Sequence, residues 1–140
     1  MKKYIFVVFI VIATTLAVLA KNSSFTEALR NCSSYSESGS VNTEGMNVNS
    51  VKQIVGKEND KCVYKETVNF SGANMTVTCK FTDTQIYELV SVMDAYELVQ
   101  KYSKENVDTS SISSVQNNPV VKAWNKYLQD TSVCTLEGLK

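Results

Sequence analysis

The sequence predicts one exported α+β domain: a short N-terminal helix, a three- to four-stranded antiparallel sheet, one long helix and a short C-terminal helix. Three observations carry that expectation. An apolar leader precedes the polar chain. Two runs of alternating residues flank Gly72, the period of strands with one buried face. From Thr82 the period changes to that of a helix.

The leader reads MKKYIFVVFIVIATTLAVLA. Lys2 and Lys3 form a positive start, the run Tyr4 to Leu19 is uncharged, and Val18 and Ala20 are small residues at the positions a signal peptidase reads. These are the parts of a secretory signal peptide, expected to end at Ala20. The alternative is a retained anchor, for which the apolar run is short against the roughly 20 residues a span needs. A single domain is expected over residues 21–140, exported to the periplasm or the cell exterior. Without Lys2 and Lys3 it holds 12 basic and 14 acidic residues. The absence of a basic cluster argues against nucleic acid, and nothing after the leader is apolar enough for a membrane.

The elements follow in order. Ser24 and Glu27 have the spacing of a capping box, and Phe25, Ala28, Leu29 and Cys32 share one helical face. Residues 33–45, rich in Ser, Asn, Thr and Gly, read as a loop or weak edge strand. Residues 46–55 read as a strand. Met46 and Val48 have one parity and Val51 and Val55 the other, which predicts a bulge near Asn49-Ser50. Gly56 to Asp60 reads as a turn. Cys62, Tyr64, Val68 and Phe70, then Met75, Val77, Cys79 and Phe81, mark the inner face of a hairpin. Gly72-Ala73 suits a type II′ turn, which wants Gly first. Thr82 and Gln85 form a capping box, and Phe81 is placed to staple to Ile86. Ile86, Leu89, Val90, Met93 and Tyr96 form the buried stripe of the long helix, widened by Val92, Ala95, Val99 and Tyr102. A loop is expected over 104–118. Pro119 then opens a helix whose apolar face carries Val120, Val121, Trp124, Tyr127 and Leu128.

The four cysteines, Cys32, Cys62, Cys79 and Cys134, are expected to form two disulfides, as an even count in an exported chain implies. With Gly72-Ala73 as the loop, Cys62 and Cys79 lie four residues out of register, about 14 Å apart along the strands. A turn at Ser71-Gly72 halves the offset and leaves diagonal neighbours at roughly 7–8 Å. A disulfide needs Cα atoms about 4.4–6.8 Å apart. Cys62 and Cys79 are therefore expected not to pair. Two connectivities remain, 32–62 with 79–134 and 32–79 with 62–134.

Most catalytic chemistry lacks its parts. The chain has no His. That removes the base of Ser-His and Cys-His engines. Cysteine spacings of 30, 17 and 55 residues contain no C-x-x-C pair for zinc or redox work. The five glycines are scattered, so there is no phosphate loop. Glu88, Asp94, Glu97 and Glu105 read as the solvated side of the long helix. No catalytic residue, cofactor or metal site is expected. The partner expected is a protein or envelope component. Tyr87 lies off the buried stripe and is a candidate contact residue.

Two resemblances attach to these residues. Gln53-Ile54-Val55-Gly56 is similar to the Gln-x-Val-x-Gly loop of cystatin-type cysteine protease inhibitors, one residue short, and makes 53–56 a second candidate contact. Cystatins, however, lack the two helices expected after this sheet. The succession Cys32 and Tyr35, Ile54 and Gly56, Cys62 and Tyr64, Cys79 and Phe81 resembles small exported bacterial proteins of unknown function, over residues 25–100. That resemblance implies export and fold and brings no activity. The leading expectation is a disulfide-stabilised, non-catalytic binding or structural domain, and the alternative is a secreted enzyme inhibitor.

Overall fold

The computed structural model describes residues 23–43, 45–103 and 116–138. The leader, Glu105 and nearly all of the expected 104–118 loop lie outside them. The order is α1 (Ser23–Asn31), β1 (Tyr35–Thr43), β2 (Met46–Glu58), β3 (Lys61–Phe70), β4 (Ala73–Phe81), α2 (Asp83–Ser103), α3 (Pro119–Leu128) and β5 (Cys134–Glu137). The strands form one antiparallel sheet in the order β1-β2-β3-β4-β5. The fold class is α+β as expected, with five strands instead of three or four. The additional strand is β5, which the tail around Cys134 forms by pairing with β4. Its four residues are too few for a periodic signal.

Helices cover one face of this sheet. Phe25, Ala28 and Leu29 of α1, Ile86, Leu89, Val90 and Met93 of α2, and Val120, Trp124, Tyr127 and Leu128 of α3 share one core with the inner face of the strands. Trp124 is its centre, with ring centroids 5.1 Å from Tyr64, 5.7 Å from Phe81 and 6.3 Å from Phe25. On the opposite face cross-strand side-chain bonds join Asn42 to Asn47, Thr67 with Thr76 and Asn69 to Asn74.

Local chemistry ends and starts the elements. Cys32 stands in the left-handed region at φ 48. Its N–H donates to the Leu29 carbonyl and the next N–H, of Ser33, reaches back to Ala28. That is a Schellman stop with Cys where Gly is usual. The Thr82–Gln85 capping box forms in both directions, at 2.9 and 3.3 Å. The Asn118 Oδ1 accepts from the Val120 and Val121 N–H groups, with Pro119 in the first turn of α3. Past Met93 the expected wider stripe of α2 is not buried: Ala95, Val99 and Tyr102 are exposed.

Three details of the sheet correct the expectations. The β3–β4 turn is Ser71-Gly72, at φ 49 and 83, and Phe70 pairs with Ala73. Two positive φ angles make a type I′ turn, whose twist matches the strands it joins. Both registers keep the apolar residues inside, so turn geometry decided. Second, β2 has no break at Asn49-Ser50; its shift comes between Ile54 and Gly56. Gly56 adopts φ 124 there, a conformation that suits only glycine. Third, Gly56, Lys57 and Glu58 continue β2, and the turn is Asn59-Asp60, both left-handed.

The misplaced bulge has a physical cause. The inward positions of β2 are Val48, Ser50, Lys52 and Ile54, all buried, while Val51 and Val55 face outward, 41% and 44% exposed. Polar residues occupy core-facing sites and valines occupy open ones. Lys52 lies across from Glu37 on β1 and Glu66 on β3, a charged row spanning three strands. Lys52 is 1% exposed and Glu66 0%. The Tyr64 hydroxyl donates to Glu66 at 2.8 Å, and the Tyr35 hydroxyl donates to Glu37 at 2.8 Å. The Lys52 ammonium has no hydrogen-bond partner and lies 6.0 Å from the centre of the Phe25 ring.

The disulfides join Cys32 to Cys62 and Cys79 to Cys134, with Cα atoms 5.7 and 4.1 Å apart. Cys62 and Cys79 do not pair with each other, and the first of the two open connectivities is the one formed. One bond ties the end of α1 to β3. The other joins facing positions of β4 and β5.

Candidate binding groove between the first two helices

The stop at Cys32 turns the chain from α1 into β1 and leaves Arg30 beside the N-terminal half of α2. Asp83, Ile86, Tyr87, Val90, Ser91 and Asp94 of α2 follow a three-and-four spacing and therefore share one stripe. With the end of α1 and Lys57 of β2 they enclose a groove of about 440 Å³. The eleven helical rises from Asp83 to Asp94 set its length at about 16 Å.

Each end carries an ion pair. Lys57 Nζ meets Asp83 Oδ1 at 3.0 Å, and Arg30 Nη2 meets Asp94 Oδ2 at 2.7 Å. Arg30 also bonds Glu27 Oε2 at 2.7 Å, which fixes the guanidinium between two carboxylates. The floor is apolar: Ile86 and Val90 are buried, and Cys32 brings the first disulfide to the wall. Tyr87 stands over it, 75% exposed. Two charged ends, an apolar floor and an exposed aromatic ring are the parts of a contact surface. These ion pairs are exposed and contribute little to stability. They can exchange partners at small cost.

Glu88 takes a different role. Its carboxylate accepts from Lys126 Nζ at 2.8 Å and from the Tyr127 hydroxyl, tying α2 to α3. The Lys126 ammonium first and the Tyr127 hydroxyl second hold the carboxyl below its ordinary range. It is engaged structurally, as Asp94 is by Arg30.

The candidates singled out in the sequence separate here. Tyr87 lies on the groove. Gln53, Ile54, Val55 and Gly56 belong to β2, paired on both sides at Gln53 and Ile54, and form no loop. Ile54 is buried in the core, while Gln53 and Val55 face away from the helices. The structure does not bring 53–56 and Tyr87 into one surface. Sequence reasoning missed Arg30, Lys57 and Asp83 as groove residues. Arg30 and Asp94 are 64 residues apart, and no local pattern links them.

No family model matches the chain, and no curated protein and no solved structure matches it.

Proposed function

We propose that this chain is an exported, non-catalytic binding domain that holds a segment of another protein or envelope component in the α1–α2 groove. The observation that carries the reading is Tyr87: a large aromatic side chain, mostly exposed, above an apolar floor and between two ion pairs that water already weakens. An aromatic anchor of this kind supplies much of the energy of a small interface. The two disulfides fit an oxidising compartment, in keeping with the export implied by the leader. No described helix is long and apolar enough to cross a membrane.

The reading is tested by placing a photo-crosslinking amino acid at Tyr87 and, separately, at Thr67 on the sheet face opposite the helices, in the organism's own exported protein. A discrete adduct from position 87 and none from position 67 is the expected result. Equal yields from the two positions, or no adduct from either, would refute it.

A further inference from the structure

The two disulfides differ in what can reach them. Cys79 and Cys134 are 0% and 4% exposed, and neither lines the groove. The strand that carries Cys134 is fastened at its start. The Cys134 N–H donates to the Asp130 carbonyl, and the Lys80 N–H donates to the Val133 carbonyl. A small molecule reaches this bond only after β5 has left β4. Cys32–Cys62 is placed otherwise. Cys62 is fully buried, but Cys32 is half-buried and forms part of the groove wall. One sulfur of this bond belongs to the core and the other to a groove wide enough for a small molecule. Cys32 is also held at φ 48, where a side chain is disfavoured, and neither Cys79 nor Cys134 has a positive φ. Exposure and strain are the features that separate exchangeable disulfides from inert ones.

We infer that Cys32–Cys62 is a thiol-exchange site, at which a small external thiol entering the groove attacks Cys32, while Cys79–Cys134 remains a structural bond. A thiolate approaches opposite the sulfur it displaces. Cys62 lies on the core side, so that approach runs through the groove. A bond forms between the external sulfur and Cys32 Sγ, the bond between the two cysteines breaks, and its electron pair leaves on Cys62 Sγ. Cys62 pairs in register with Lys57, and the two side chains share a face. The neighbouring cation offsets part of what burial costs the departing thiolate. A second external thiolate then displaces Cys32. The external thiol is oxidised to its own disulfide, and both cysteines are left as thiols, carrying the protons that the external thiols lost. The exchange requires no protein occupant in the groove.

Partial reduction of the folded, oxidised protein tests this. Mercaptoethanol is added without denaturant, samples are trapped with iodoacetamide over time, and the labelled cysteines are located by peptide mass mapping. The first product should carry label on Cys32 and Cys62 and retain Cys79–Cys134, with opening at the first bond at least about ten-fold faster than at the second. Ser91→Trp narrows the groove from its exposed rim, without touching either disulfide. It should slow the first opening several-fold and leave the second unchanged. Label appearing first on Cys79 and Cys134, simultaneous loss of both bonds, or no reduction before denaturant is added would each overturn the inference. An unchanged rate of first opening in Ser91→Trp would overturn the groove as the route of attack.

Discussion

Lys52 is the residue with the most unusual situation in the molecule. Burial lowers its pKa to about 8, although the Glu66 and Glu37 carboxylates pull it back up. Below pH 8 the folded and unfolded chains both carry the proton, and folding bears the full cost of burying the ammonium. Between pH 8 and the ordinary value of 10.5 the unfolded chain keeps a proton that the folded chain has released. Stability therefore rises with pH in that window, by roughly 3 kcal/mol if it is spanned completely. Tyr64 works in the opposite sense. Burial first and the Glu66 charge second push its pKa well above 10.0, so stability falls once unfolded tyrosine ionises. The expected outcome is a stability maximum near pH 10, seen as a rise in the urea midpoint from pH 8 to 10. Lys52→Met alone leaves the Glu66 carboxylate buried without its counter-charge and should cost roughly 3 kcal/mol. Lys52→Met with Glu66→Gln should recover most of that loss and flatten the pH profile. A profile that keeps its slope in the double variant would show that another group titrates.

Elements record which parts of the fold the sequence exposes. α2 was legible because both its cap, Thr82 with Gln85, and its stripe, Ile86 to Met93, are local patterns. α3 was legible from Asn118-Pro119 and its apolar face. The register of β2 was not, because Ser50 and Lys52 sit where the pattern demands apolar residues, and the partners that make this tolerable lie on other strands. Of the groove, only Tyr87 was legible, as the aromatic residue left off a stripe. Its charged rim joins residues of three elements. The Ser71-Gly72 turn shows how small the deciding energies are. Ser71 in the left-handed region costs about 1 kcal/mol that Asn largely avoids. Ser71→Asn should therefore stabilise the protein by roughly 0.5–1 kcal/mol, with a matching gain in thermal midpoint. Destabilisation by this change would mean that the Ser71 side chain contributes something the turn geometry does not show.

For the whole molecule, the two disulfides separate stability from the proposed function. They close loops of 30 and 55 residues. The constraint each puts on the unfolded chain depends only on the logarithm of loop length, so each should contribute about 4 kcal/mol. Their positions in the fold are not equivalent. Cys79–Cys134 fastens β5 to the strand it already pairs with, and neither cysteine lines the groove. Cys32–Cys62 fastens the end of α1 to β3 and holds Cys32 in a left-handed conformation that few non-glycine residues adopt. Releasing it frees the stop of α1, and with it Arg30, from one wall of the groove. Replacing either pair with alanine should thus lower the urea midpoint by similar amounts. At a temperature where both variants remain folded by circular dichroism, only the Cys32→Ala, Cys62→Ala variant should lose the adduct from position 87. The Cys79→Ala, Cys134→Ala variant should keep it. Loss of the adduct in both would mean that the groove depends on global rigidity. Retention in both would place the partner's contact on α2 alone, with Tyr87 sufficient and the wall made by α1 unused.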